Sequence, residues 1–346
     1  MKAIHFTEFQ GELSILDLPM PQPSGRGVVI KVEATGLCRS DWHGWMGHDS
    51  DISLPHVPGH ELAGVISAVG NVVKKFSVGD RVTVPFVCGC GECEFCLRGD
   101  AQVCPTQTQP GFTGFGSFAE YVTIENADFN LVRIPEGVSS AVAAALGCRF
   151  ATAYRGLVKR AQVSAGESVV IYGCGGVGLS AVMIAKALGA TVYAVDINKG
   201  ALQLATELGA IPINSSAVDP VGFMQDLGGA HVAVDALGSA TTAAQSVLSL
   251  RRRGRHVQLG LLLTPSGLTE MPMARVIGWE LDLLGSHGMA AKDYPEMLEM
   301  VAAGKLNPSV LITREIGLAD GAVALREMSA PHPSAAGGIT VIRPGL

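Results

Sequence analysis

The run Ser168-Val169-Val170-Ile171-Tyr172 passes directly into Gly173-Cys174-Gly175-Gly176-Val177-Gly178, and that string into an apolar helical pattern over 179–188. A buried-type strand ending on G-x-G-x-x-G and opening a helix constrains a chain to a strand–turn–helix unit. Its glycines let the backbone approach a pyrophosphate at the helix N-terminus. A second strand is expected at 191–196, closed by Asp196, 18 residues beyond Gly178. A carboxylate there accepts hydrogen bonds from both ribose hydroxyls of an adenosine and repels a 2′-phosphate, so NAD is expected in preference to NADP. Lys199 stands where it could reach the same ribose. The plainer alternative for Asp196 is a strand-end turn residue. Cys174 reads as a small core residue filling the loop.

From about residue 151 this alternation continues, with a helix at 201–208 and strands at 232–237 and 256–261. Buried apolar strands separated by helices imply a parallel, doubly wound sheet. Before Cys148 the chain is β-rich instead, with alternating segments at 28–32 and 64–69 and turns such as Ser77-Val78-Gly79-Asp80. After Gly285 a helix is expected around 295–303, then strand-like segments up to Leu346. The fold class is therefore α/β plus a β-rich domain, divided as 1–150, 151–286 and a return at 287–346. Ala330-Pro331-His332-Pro333 reads as a surface loop. Arg251-Arg252-Arg253-Gly254-Arg255 follows a helix-like stretch, 243–250, and reads as its solvated C-terminus rather than a nucleic-acid patch.

A length of 346 residues accommodates about two domains. The formal net charge of −6 gives no general attraction to nucleic acid or anionic membrane. Met1-Lys2-Ala3-Ile4-His5 starts a strand-like pattern with no signal-peptide core, and no apolar run is long enough to span a bilayer. Eight cysteines without a secretory signal point to the cytoplasm, where cysteine means metal or core.

Four of those cysteines, Cys90, Cys93, Cys96 and Cys104, form a C-x2-C-x2-C-x7-C lobe within 88–105. Two-residue gaps let a tight loop wrap one tetrahedral zinc, whereas neighbours so close bridge poorly as disulfides. Cys88 is an extra thiol beside them, a spectator or a competing ligand in another register. A second metal site is suggested by scattered residues: Cys38, the pair His60 and Glu61, and Cys148. Two thiolates, an imidazole and an open position make a catalytic rather than a structural zinc. Alone, His60 would more often be a satisfied core histidine than a ligand.

Together these pieces resemble the zinc-dependent medium-chain alcohol dehydrogenases over essentially the whole chain. The marks are Cys38-Arg39-Ser40-Asp41, Gly59-His60-Glu61 followed by Gly64, the four-cysteine lobe, Gly147-Cys148 with Thr152, and the dinucleotide fingerprint with Asp196. The resemblance implies a GroES-like catalytic domain and a Rossmann coenzyme domain, with two zincs per chain and NAD. It implies that Cys38, His60 and Cys148 hold catalytic zinc, that Glu61 is an outer or transient ligand, and that Asp41 bonds the far nitrogen of His60. Ser40 would bond the substrate oxygen and His43 would pass its proton to solvent. Arg39 would contact the pyrophosphate. Thr152, Val177 and the segment 259–262, Leu261 included, would flank the nicotinamide. A homotetramer, or a dimer, is the form such relatives take.

The implied reaction is hydride transfer between NAD and a primary or secondary alcohol. A polyol or a threonine-like amino alcohol is the nearest alternative, and a non-catalytic NAD(H)-binding zinc protein a more distant one. Trp42, Trp45, Met46, Phe86 and Phe112 are the apolar residues available to line the pocket. Two departures from the family pattern stand out. Arg149-Phe150 follows Cys148 where small residues are common, so an unusual nicotinamide side of the pocket is expected. Gly338-Ile339 replaces a Gly-Arg that helps bind pyrophosphate.

Overall fold

The strand Val28–Leu37 alternates little because nearly all of it is buried, and it forms the spine of the first of two compact units. The computed structural model describes residues 1–263, 268–329 and 338–346. Taking those residues alone, one unit draws on 1–151, 288–329 and 339–346, and the other on 152–287 and 338. The loop expected at 330–333 lies outside the described residues. The strands of the first unit are β1 (Lys2–His5), β2 (Ser14–Asp17), β3 (Val28–Leu37), β4 (Glu61–Val69), β5 (Arg81–Thr83), β6 (Tyr121–Ile124) and β7 (Val132–Arg133). Those of the second are β8 (Ser168–Tyr172), β9 (Thr191–Asp196), β10 (Ile211–Asn214), β11 (Ala230–Asp235), β12 (Leu250–Gln258) and β13 (Asp282–Gly285). The return adds β14 (Ile312–Ile316) and β15 (Ile339–Ile342) to the first.

In the first unit the sheet order is β14-β15-β3-β4-β5-β7, with β6 also paired to β3. β3 and β4 are antiparallel with Gly36 opposite Glu61, so the end of β3 and the start of β4 lie side by side. On the other edge of β3, Val341 of β15 faces the same Gly36. Apolar side chains on one face, Val28, Ile30, Leu62, Ile66 and Val82 among them, form a core. Ile339 is wholly buried, so no cation stands at that position of β15.

In the second unit the sheet order is β10-β9-β8-β11-β12-β13 and every pair is parallel. The order reverses between β8 and β11, which is where open α/β sheets bind ligands. Val169, Val170, Ile171 and Tyr172 are wholly buried, as a two-sided parallel sheet requires. The fold class read from sequence is the one observed. No helix among the described residues is long and apolar enough to cross a membrane.

The arginine run corrects the sequence reading. The helix before it, Ala240–Leu248, ends sooner than expected, and the arginines belong to β12. Pairing with β11 fixes Leu250 opposite Ala230 and Arg255 opposite Val232, so the intervening residues bulge from the ladder. Their heads are individually partnered: Arg251 with His231 at 2.6 Å, Arg253 with Glu280 at 2.8 Å, and Arg255 with Glu167. Arg252 lies over Trp279.

Candidate active site

The β3–β4 register brings Cys38, just beyond β3, to His60 and Glu61 at the start of β4. Cys148 arrives on a π-helical turn, Leu146–Phe150, a form that recurs at functional sites. The Tyr294 hydroxyl pins that turn, donating to the Gly147 carbonyl at 2.9 Å. One potential ligand atom from each of Cys38, His60, Glu61 and Cys148 lies within 4.8 Å of all the others. The Cys148 thiol hydrogen-bonds Cys38 and holds it well below the usual thiol range, against burial and with help from the Arg149 charge.

His60 is wholly buried, and its Nδ1 lies 2.8 Å from Asp41 Oδ1. Its Nε2 is buried without a hydrogen-bond partner among the described residues. An imidazole that gives Nδ1–H to a carboxylate presents a lone pair at Nε2, the arrangement expected of a metal-bound histidine. Together with two thiols this donor set suits zinc, and the site fits it. The four-cysteine lobe fits equally well. Ligands about 2.3 Å from a tetrahedral centre sit about 3.8 Å apart. The Cys93–Cys104 and Cys90–Cys96 sulfur separations are 3.7 and 4.0 Å. Main-chain N–H groups of Glu92 and Cys93 point at the Cys90 sulfur at 3.4 and 3.3 Å. That of Glu92 contributes most to bringing the Cys90 thiol down to about 6. Cys88 is not part of either group; it lies in the apolar core, where burial pushes its thiol up to about 12.

Ser40 and His43 lie on the short helix Arg39–Trp45, three residues apart and so on one face. The Ser40 hydroxyl is 3.8 Å from the Cys38 sulfur. His43 Nδ1 is 3.0 Å from Nδ1 of the exposed His48, so one ring donates and the other accepts. Burial, followed by the neighbouring charges of His48 and Arg39, lowers the His43 pKa. Arg39 lies over the Trp42 ring and donates to the Met328 carbonyl, so it is engaged within its own unit. Of the apolar residues, Phe112 and Phe86 flank His60 with ring centroids at 5.2 and 5.9 Å. Trp45 is core instead, its indole N–H bonded to the Gly11 carbonyl.

In the second unit Gly173 has a φ of +91°, and a Cβ on Gly178 would lie 1.7 Å from the Gly173 carbonyl. Only glycine folds this turn, and the helix Gly176–Ala187 starts from it with Gly175 at its cap. Asp196 takes the Cys174 N–H at 2.7 Å and the Asn198 N–H at 2.8 Å, which fixes its carboxylate beside the loop. Lys199 opens the next helix and is exposed, as is Leu261 beyond β12; Thr152 is buried.

Two residues escaped the sequence reading. His48 gives no signal beyond being a histidine one turn past His43. Arg149 stood out in the sequence only as a departure after Cys148; its guanidinium folds onto Glu61 in the first unit, with Nε at 3.0 Å from Oε1. An arginine in the apolar run 141–150 is itself a signal, since a buried cation has to be paired.

Profiles of two families match the chain: the alcohol dehydrogenase GroES-like domain over residues 24–136 and the zinc-binding dehydrogenase over 176–303. An alcohol dehydrogenase of Geobacillus stearothermophilus is 37% identical over 315 residues, 90% of this chain and 91% of that one. An NAD-dependent alcohol dehydrogenase of Sulfurisphaera tokodaii is 33% identical over 338 residues, 93% of this chain and 95% of that one. The solved structure of alcohol dehydrogenase TADH from Thermus sp. ATN1 superposes with a TM-score of 0.89, at 27% identity and 99% of each chain. Fold, paired domains and donor sets thus define a zinc-binding oxidoreductase. The chain belongs to the zinc-dependent medium-chain alcohol dehydrogenase family.

Proposed function

We propose that this chain oxidises simple primary or secondary alcohols to aldehydes or ketones with NAD, and runs the reverse reduction, using one catalytic and one structural zinc. The observation that carries this reading is the buried Nε2 of His60, unpartnered among the described residues, in the group that holds the thiols of Cys38 and Cys148 within 4.8 Å. A zinc held by those three residues would lower the pKa of an alcohol hydroxyl by several units and polarise a carbonyl in reverse, and NAD would exchange the hydride. Ser40 accepts the proton of the alcohol and His43 passes it outward, with His48 as its exposed partner. The glycine loop and Asp196 hold the coenzyme, and the Asp196 carboxylate favours NAD over NADP because it repels a 2′-phosphate. Lys199, Arg39, Thr152, Val177 and Leu261 complete its surroundings. The rings of Phe86 and Phe112 beside His60 support an apolar substrate rather than a polyol. All eight cysteines are free, which supports a reducing, cytoplasmic setting, and a homotetramer is the assembly we expect.

The test is metal content per chain together with NAD⁺ reduction on ethanol, 2-butanol, benzyl alcohol, sorbitol and threonine. Two zincs and turnover of the simple alcohols are expected. One zinc and no turnover would sink the catalytic site, and preference for sorbitol or threonine would sink the substrate class.

A further inference from the structure

Glu61 is a carboxylate at metal-ligand distance that another residue already occupies. It is wholly buried and stands in the same 4.8 Å group as Cys38, His60 and Cys148. Three donors of Arg149 converge on it. The main-chain N–H and Nε reach Oε1 at 3.1 and 3.0 Å, and Nη2 reaches Oε2 at 2.5 Å. The Arg149 side chain is itself buried, 8% exposed.

The backbone around the pair leaves room for this arrangement and little else. A Cβ on Gly36 would lie 2.0 Å from Glu61 Oε2 and 3.0 Å from Arg149 Nη2. A Cβ on Gly147 would lie 3.0 Å from the Glu61 Cα. Gly36 stands directly opposite Glu61 in the β3–β4 ladder, so the slot is built by the same register that assembles the donor set.

Resting on the metal reading of Cys38, His60 and Cys148, we propose that Arg149 is a positioning residue that keeps Glu61 out of the coordination shell. The planar fork of a guanidinium matches both carboxylate oxygens at once, which a lysine cannot do. A carboxylate released from that fork is an anionic oxygen donor able to complete a tetrahedral zinc, and a fourth protein ligand makes a closed, structural type of site. The clamp therefore preserves the open position that substrate needs. It also sets a buried cation beside the Cys38 and Cys148 thiols and the Glu61 carboxylate.

The experiment uses the full chain loaded with Co²⁺, whose visible spectrum reports the ligand set, and with Zn²⁺, whose release to excess chelator is timed. Imidazole serves as an added ligand for the open position. Cys38→Ser comes first: if it fails to remove one metal equivalent, the metal reading falls and the proposal with it. With that loss in hand, Arg149→Met is expected to slow zinc release about tenfold or more, on the scale of outer-partner effects. It should also abolish the spectral response to imidazole. Arg149→Met with Glu61→Gln should restore both, and Glu61→Gln alone should leave release within about threefold of the parent, far below that scale. An Arg149→Met chain that matches the parent in spectrum and release overturns the proposal, as does zinc loss about tenfold faster in Glu61→Gln alone. Should Arg149→Met not fold, Arg149→Lys and Glu61→Gln decide. The lysine chain is then expected to lose part of the imidazole response, and an unaltered response overturns the clamp.

Discussion

Asp41 Oδ1 lies 2.8 Å from His60 Nδ1, and both side chains are wholly buried. The same carboxylate accepts the Cys38 N–H at 2.9 Å and the Gly59 N–H at 3.1 Å. One side chain thus orients the imidazole and ties together the two segments that carry Cys38 and His60. Asp41→Asn is expected to weaken metal binding at this site by about 10–100-fold, since the amide must aim an N–H at one of three donors. Competition with a chelator measures it, with the four-cysteine lobe as the internal reference. Affinity equal to the parent's would mean that the Asp41 carboxylate does not orient the ligands.

Ser40 sits next to Cys38 with its hydroxyl 3.8 Å from the sulfur, and nothing else in the helix Arg39–Trp45 offers a hydroxyl. Ser40→Ala should lower turnover by about 10²–10⁴-fold, the usual range for a lost proton-transfer group, with zinc content unchanged. His43→Gln should do less. Burial keeps His43 neutral and able to take a proton below the usual histidine range, so its loss should show chiefly near neutral pH. The pH profile of kcat separates the two, and a Ser40→Ala chain with full turnover would remove the relay.

Asp196 is held by two main-chain N–H groups, from Cys174 in the glycine loop and from Asn198. Asp196→Ala should therefore do two things. It should cut the preference for NAD over NADP by about tenfold or more, equivalent to roughly 1.4 kcal/mol. It should also raise the KM for NAD, because the loop loses an anchor. The ratio of kcat/KM for the two coenzymes is the readout, and an unchanged ratio would assign the discrimination elsewhere.

What could be read in the chain tracks how local each feature is. The grouping of Cys90, Cys93, Cys96 and Cys104 is legible because a four-thiol cluster of this kind is encoded by spacing within one loop. The glycine turn was legible because Gly173 to Gly178 sits between a strand and a helix, where its geometry is needed. The grouping of Cys38, His60 and Cys148 depends instead on the β3–β4 register and a π-helical turn, and their spacing alone suggests it only weakly. The partner of Arg149 was hidden for the same reason, since Gly36 faces Glu61 only once the strands pair. The arginine run was misread because Ala240–Leu248 stops early and β12 bulges, a tertiary outcome that no local pattern announces.

A buried histidine in the second unit makes stability depend on pH. His256 is 2% exposed, its Nδ1 2.9 Å from Ser246 Oγ and its Nε2 3.2 Å from Gln258 Oε1. The Gln258 amide nitrogen donates to Asp235 Oδ2 and to the Gly260 carbonyl, both at 2.8 Å, so its oxygen faces the ring. Hence Nε2 carries the proton and Nδ1 accepts from Ser246, which is the neutral tautomer. Burial lowers the pKa below the usual 6.5, with Gln258 and Asp235 only partly opposing it. The sign follows from linkage. A folded pKa below the unfolded one contributes stability that is present above about pH 6.5 and lost as pH falls toward the folded value. One such group can give a slope of at most about 1.4 kcal/mol per pH unit. His56 in the first unit, also buried with a lowered pKa, adds to the trend. The Tm is therefore expected to fall as pH drops below about 6.5, and His256→Gln should flatten that fall while lowering the Tm at neutral pH. A decline as steep in His256→Gln as in the parent would locate the acid sensitivity elsewhere.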